Sequence, residues 1–270
     1  GENVPFRSVA YGDTRTQAAK HALVAESIVR SDPDFILHVG DQVNRGKVYA
    51  EWGPQFFTPA ANMLKRAPLF PVMGNHEFSG SGKVYYYDFF NVPTNGVSGY
   101  GEHFYAFTYG CARFIGLSAC EGGCDPFTPG SPQYNWLVQE FQSPAFQNAR
   151  WRFVWDHNPP YTARERDNAV NVNLRAYLVP LFEQYGVDVV FSGDDHFYRH
   201  SERNGIHYIV TGGGGAPLHA VGTQVAGASL LYAESNYEQC VIDLNPSVFK
   251  FYALRTNDTV MDALTLVKDN

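Results

Sequence analysis

Short apolar runs that end in a tight polar turn recur along most of this 270-residue chain. The turns read Gly12-Asp13, Gly40-Asp41, Gly74-Asn75-His76-Glu77, Asp156-His157 and Gly193-Asp194-Asp195-His196. Ligands of open α/β sheets bind beyond the carboxyl ends of the strands. Acids, amides and imidazoles delivered at several strand ends therefore converge on one crevice. The pattern restricts the chain to an α/β fold and points to a hydrolase that uses hard metal ligands.

The segments between the turns support that reading. Phe6 to Gly12 predicts a first strand, and Ala18, Ala22, Ala25 and Val29, with Ala19 and Leu23 alongside, have helical spacing. Asp34 to Val39 predicts a second strand, Trp52 to Leu64 a helix over the sheet, and Leu69 to Met73 a third strand. Residues 78 to 101, rich in Gly, Ser, Asn and Tyr, read as a long loop of the kind that surrounds active sites. Phe104 to Tyr109 and Arg113 to Ser118 read as strands paired across Gly110. Gln133 to Phe141 predicts a helix, and Arg152 to Trp155 a strand that leads into Asp156 and His157. Leu174, Leu178, Leu181, Phe182 and Tyr185 mark a helical face that Pro180 interrupts or restarts. Val187 to Phe191, Ile206 to Val210, 237 to 243, 248 to 254 and 259 to 266 complete the strands. No repeat or low-complexity linker divides the chain, so one catalytic domain over residues 1–270 is expected.

Charge and composition exclude several classes of partner. The net charge is −7 and no run of Lys or Arg exists, so the footprint of a nucleic-acid binder is missing. Bound cations would still focus positive charge in one pocket and draw a phosphate there. No stretch approaches the roughly 20 apolar residues of a membrane span, and nothing near the start resembles a signal segment. The opening Gly1-Glu2-Asn3 fits a mature form whose leader was removed. Cys120 and Cys124 lack a second Cys/His pair at matching distance, which argues against structural zinc and for a local disulfide. Four cysteines, few lysines and many aromatics fit a secreted or periplasmic protein, with a reduced, buried cysteine set in the cytosol as the alternative.

The residue types at the turns suit a metal site. A shared carboxylate can hold two cations about 3.5–4 Å apart, the separation that clamps both oxygens of an in-line displacement. Asp41 is the natural bridge and Asp13 a ligand on one side. Asn75 supplies a neutral oxygen, and His157 and His196 supply imidazole nitrogen. This mixed set suits Fe, Zn or Mn better than Mg alone. Any one of these residues is equally well a turn or core residue; their order along the chain gives the signal.

Gly12-Asp13, Gly40-Asp41-Gln42-Val43, Gly74-Asn75-His76-Glu77, His157-Asn158-Pro159-Pro160-Tyr161 and Ser192-Gly193-Asp194-Asp195-His196, in this order, resemble the calcineurin-like metallophosphoesterase superfamily. The segments Val187 to Gly193 and Tyr208 to Gly215 resemble its purple acid phosphatase-like branch. The resemblance implies a four-layer αββα sandwich of two mixed β-sheets flanked by helices. It implies one metal held by Asp13, Asp41 and His196, and a second held by Asp41, Asn75, His157 and residue 194. It further implies phosphomonoester hydrolysis by a metal-bound hydroxide at a dinuclear Fe, Zn or Mn site, with His76 stabilising or protonating the leaving oxygen. A phosphodiesterase, a mononuclear centre, or a catalytically impaired ligand-binding homologue are the alternatives.

Three positions depart from the family pattern. Arg15 stands where a histidine is usual, Asn44 where purple members place a metal-binding tyrosine, and Asp194 where the last motif carries its first histidine. Asp194 can ligate through oxygen and favours harder ions such as Mn or Mg. Arg15 has three readings: offsetting the surplus negative charge, gripping the substrate phosphate as a fork, or filling the first metal position. The run Gly212 to Gly215 meets Ala216-Pro217 rather than a helix, which argues against a dinucleotide loop. Tyr161, Arg164 and Arg166 are further candidates for substrate contact. His21, His38, His103, His200, His207 and His219 lack motif context and are expected to be structural or solvated.

Overall fold

The computed structural model describes residues 4–78, 84–164 and 167–269. Three strands open the chain: β1 (Phe6–Tyr11), β2 (Phe35–His38) and β3 (Leu69–Pro71). The middle of the chain contributes β4 (Tyr105–Tyr109), β5 (Ala112–Gly116), β6 (Trp151–Trp155), β7 (Val189–Ser192), β8 (Tyr198–Arg203), β9 (Ile206–Thr211) and β10 (Ser229–Glu234). The last strands are β11 (Glu238–Leu244), β12 (Val248–Arg255) and β13 (Val260–Val267).

They form two sheets, ordered β13-β12-β11-β1-β2-β3 and β10-β8-β9-β7-β6-β5-β4. β1, β2 and β3 run parallel, as do β5, β6, β7 and β9, while the remaining pairings are antiparallel. Both sheets are therefore mixed, and the parallel strands of each sheet share one direction.

Side-chain alternation builds the layers. In β6, Phe153 and Trp155 face the space between the sheets, and Val154 faces outward onto the helices. In β12, Phe249, Phe251 and Ala253 point inward at every second position. Phe35, Phe114, Phe153, Phe191 and Phe249 join one aromatic core between the sheets. Helix Ala18–Ser31 packs Val24, Ala25 and Ile28 on the outer face of the first sheet, against Val9, Tyr11 and Ile36. Helix Pro132–Gln142 and the Ala169–Tyr185 segments cover the second sheet through Leu137, Phe141, Leu178 and Phe182. The result is the αββα sandwich that the family resemblance implies.

The differences from expectation are local. Residues 52–64 are not one helix: a turn at Tyr49–Trp52, a π-helical turn at Gly53–Phe57 and a short helix at Ala61–Leu64 replace it. Pro54 has no N–H to give an α-helical ladder, and the Thr58 N–H reaches back to the Gly53 carbonyl at 2.8 Å. Pro180 restarts a helix at Val179–Tyr185 after a π-helical turn at Leu174–Leu178. The loop 78–101 contains a helical turn, Tyr86–Phe89, whose Tyr86 is buried and bonds the Pro71 carbonyl; residues 79–83 lie outside the described residues. β8 and β10 were not expected, because Arg199-His200-Ser201-Glu202 and the exposed Leu230 and Leu231 lack the apolar alternation of a half-buried strand.

Candidate metal centre

The carboxyl ends of β1, β2, β3, β6 and β7 meet at one edge of the sandwich, and their loops are laced together by main-chain bonds. Asp13 N donates to Gly40 O at 3.0 Å, Gly193 N to His157 O at 2.8 Å, and Gly214 N to Gly12 O at 2.8 Å. Such close approach explains the glycines. A Cβ on Gly74 would collide with Asp41 Oδ1 and stand 2.8 Å from His157 Cε1, and one on Gly193 would collide with Asp13 Oδ2.

The same crowding sets the backbone of the acids. Asp13, Asp41 and Asp194 all adopt left-handed conformations, with φ of 57°, 59° and 63°. Few non-glycine residues do so, and such residues cluster where function requires them.

Six of the eight expected site residues turn toward one point. Ligand atoms of Asp13, Asp41 and His157, all buried, lie within 4.8 Å of one another. His157 Nε2 is 3.1 Å from Asn75 Oδ1, 3.4 Å from Asp41 Oδ1 and 3.9 Å from Asp194 Oδ1. His196 Nε2 is 3.5 Å from Asp13 Oδ1. Both imidazoles donate their Nδ1–H to backbone carbonyls, His157 to Val39 at 2.8 Å and His196 to Pro217 at 2.7 Å. These bonds orient both rings so that Nε2, the atom that would ligate a cation, faces the cluster.

The other two residues stand at the rim. His76 gives its Nδ1–H to Asn44 O at 2.6 Å, and its Nε2 lies 3.8 Å from Asp41 Oδ2. Arg15 Nε donates to Asp41 Oδ2 at 3.1 Å. The guanidinium is thus paired with one of the cluster's carboxylates.

Burial and neighbouring charge pull the titratable groups of the cluster in opposite directions. Burial pushes the Asp13 carboxyl above its usual range. Burial also acts to raise Asp41, but His157, His76 and Arg15 outweigh it and hold Asp41 low. Burial acts to lower His157, yet Asp41, Asp13 and Asp194 hold its proton up to about 9. The carboxyl groups around this imidazole thus favour positive charge at one point. The cluster's oxygen and imidazole donors are those of a divalent-cation site, so the residues present fit the metals that the sequence implies.

Several supporting residues escaped sequence reasoning. Glu77 is fully buried; its Oε2 accepts from Gly74 N at 2.6 Å and Asp41 N at 2.9 Å, and its Oε1 from Val43 N at 3.3 Å. It ties the β2 loop to the β3 loop. Asp195 accepts from Thr162 Oγ1 and Ala163 N, bracing the turn between Asp194 and His196. His219 stacks on His196 with ring centroids 3.9 Å apart and accepts from its backbone N–H. Neighbouring acids in Gly74-Asn75-His76-Glu77 and Asp194-Asp195 were the available signal for the first two; nothing in the sequence marked His219. Arg164 donates to Asp194 Oδ2 at 3.3 Å. Tyr161 is buried and packs edge-on against Tyr208, which removes it from substrate contact; Arg166 lies outside the described residues.

The sequence pattern of the calcineurin-like phosphoesterases matches residues 6–198, which carry every residue of this cluster. The chain belongs to that family. It is 34% identical over 137 residues to purple acid phosphatase 1 of Ipomoea batatas, covering 48% of this chain and 28% of that protein. It is 27% identical over 208 residues to the phosphoenolpyruvate phosphatase of Allium cepa, covering 72% of this chain and 42% of that one. The chain thus spans less than half the length of these curated relatives. Among solved structures, the purple acid phosphatase PPD1 of yellow lupin superposes with a TM-score of 0.80 at 18% identity, over 99% of this chain and 54% of that chain. The family's fold is therefore present here, with purple acid phosphatases among its relatives.

Proposed function

We propose that the chain hydrolyses phosphomonoesters at a dinuclear cation centre. The observation that carries this reading is the convergence of Asp13, Asp41 and His157 within 4.8 Å, with Asn75, Asp194 and His196 around them. One position would be held by Asp13, Asp41 and His196, and the other by Asp41, Asn75, His157 and Asp194. Cations bound there would supply Lewis-acid polarisation of a phosphoester and of water.

The chain's own residues do the rest. Arg15, tethered through Nε to Asp41, offsets part of that carboxylate's charge and offers its other N–H groups to a phosphate oxygen. His76, oriented by the Asn44 carbonyl, places Nε2 on the open side of Asp41, where a leaving oxygen would take a proton or hydrogen bond. Asp194, a carboxylate in a position where imidazole is usual in the family, biases the second position toward harder ions such as Mn. The relatives include one named an Fe(3+)-Zn(2+) phosphatase; with Asn44 in the tyrosine position, no tyrosinate colour is expected here. The bridged Cys120–Cys124 pair supports an oxidising, secreted or periplasmic setting. Ligands drawn from both sheets support treating residues 1–270 as one catalytic domain.

The test is chelation followed by reconstitution with Mn, Zn or Fe, and assay on a chromogenic monoester and diester. Metal-dependent turnover that favours the monoester is expected, with two cations per chain by elemental analysis. Diester preference would make it a phosphodiesterase, one cation would make the centre mononuclear, and tight cation binding without turnover would make it a ligand-binding homologue.

A further inference from the structure

The loop closed by Cys120 and Cys124 lies against both walls of the metal centre. Its Glu121 N–H donates to Asn158 Oδ1 at 3.1 Å, and Asn158 N–H donates back to Ala119 O at 3.1 Å. The other end of the same amide, Asn158 Nδ2, donates to Asp194 Oδ2 at 2.9 Å. Glu121 and Asp194 also line one small pocket, of about 40 Å³, with Thr162, Arg164, Asn168 and Asn171. On the opposite wall, Cys124 Sγ lies 3.9 Å from the Met73 carbonyl, just before Gly74-Asn75-His76, and Gly123 packs on the Phe78 ring.

Asp194 Oδ2 accepts from two side chains. Asn158 is buried and sits on the cluster side, while Arg164 pairs with the same Oδ2 from a side chain that is 42% exposed. With Asn158 in place, Oδ1 faces His157 Nε2 at 3.9 Å. Without it, the exposed guanidinium would be the one partner left on Oδ2 among the described residues, on the side away from His157 Nε2. A bridge between cysteines only four positions apart closes a very short loop, so its chain-entropy effect on global stability is at the small end of the range. Its main consequence is local shape.

We propose that the Cys120–Cys124 loop positions Asp194 through Asn158, so that opening the disulfide loosens the second cation position while leaving the first intact. The proposal rests on the dinuclear reading above. Opening by a trialkylphosphine breaks the S–S bond, gives two thiols, and oxidises the phosphine to its oxide with oxygen from water. No added thiol then competes for the cations.

The experiment titrates Mn into metal-free protein and reads both dissociation constants, with the metal-free melting temperature alongside. It compares wild type, phosphine-reduced wild type, Cys120→Ser/Cys124→Ser, Asn158→Ala, and the triple variant. Partners of ligating side chains typically carry 10–100-fold in metal affinity. One constant should weaken by about that factor in all four perturbed forms, the other should hold, and the triple variant should be no worse than Asn158→Ala because both changes break one chain of contacts. Unchanged constants would overturn the inference, as would additive losses in the triple variant. Equal weakening of both positions with a fall in metal-free melting temperature would make the loop a general stabiliser and also overturn it. Failure of wild type to bind two cations would instead defeat the dinuclear reading, and the inference with it.

Discussion

Replacing Glu238 by Gln is predicted to stabilise the metal-free protein at alkaline pH and to leave it unchanged in acid. Glu238 opens β11 and is fully buried beneath the glycine run that follows β9. Its Oε1 accepts from Gly213 N at 3.1 Å, and both oxygens lie 3.0 Å from Thr211 Oγ1. Burial, aided by the charge of Asp13, raises its carboxyl from the ordinary 4.5 to about 7, and the bonds from Gly213 and Thr211 only partly oppose this. Below the unfolded-state value both states carry the proton and the native state has its full stability. Between 4.5 and about 7 the unfolded chain releases the proton while the native one retains it, so stability falls as pH rises. The difference, at 1.36 kcal/mol per pKa unit, comes to about 3 kcal/mol above pH 7. Gln removes that titration and keeps the contacts with Gly213 and Thr211, while the weak Cys240 Sγ contact at Oε2, 3.6 Å away, reverses to sulfur as acceptor. Its oxygen accepts from Gly213 N, its amide donates to Thr211 Oγ1, and the Thr211 hydroxyl turns to the Ala10 carbonyl at 3.4 Å. Urea unfolding of chelated protein at pH 4.5, 6 and 8 measures the effect. A gain that is the same at all three values, or largest in acid, would refute the reasoning.

Two other expectations concern the centre itself. His76→Asn should lower kcat by about 10²–10⁴-fold with cation content unchanged, and the loss should be greater for an alkyl phosphate than for a nitrophenyl phosphate; equal losses on the two esters would remove the proton-donor role. Chelation should lower the melting temperature, because a cation at 100 times its dissociation constant adds about 2.7 kcal/mol to the native state; a melting curve that is unmoved after verified metal removal would argue against the clustering of Asp13, Asp41 and Asp194.

The parts of this site that the sequence announces are those in which chemistry and geometry use the same residue. Asp13, Asp41, Asn75, His157 and His196 each follow a strand whose apolar run makes its end legible. The glycines beside them are legible for the same reason, since backbones that pass this close exclude a Cβ. What stays hidden acts through the backbone of another loop. Glu77 accepts only main-chain N–H groups, and Asn158 joins Glu121 to Asp194 across 37 and 36 positions, so neither has a local pattern. β8 escaped for a different reason. Its Arg199, His200 and Ser201 are buried, with Arg199 Nη1 and Ser201 Oγ bonded to Gln224 and His200 bonded to Asp262, so polar partners replace the apolar alternation. Tyr161 shows the converse: adjacency to the His157 loop suggested a role in the site, but its ring is a core contact.

The division of ligands between the sheets explains why strain is tolerated here. Asp13, Asp41 and Asn75 follow strands of the first sheet, while His157, Asp194 and His196 follow strands of the second. Left-handed φ at three non-glycine residues disfavours the native state unless the surroundings over-determine it. Those surroundings are identifiable. Glu77 accepts from Asp41 N, Asp13 N is held by the Gly40 carbonyl, and Asp194 N donates to Asp13 Oδ1 and Oδ2 at 3.2 and 3.1 Å. Each strained acid is thus anchored by its own amide, and the last of these bonds crosses from one sheet to the other. A cation shared by Asp41 and His157 would span the same seam. The aromatic core fixes the spacing of the sheets from below, so a cation entering this edge would find donors from both sheets already gathered.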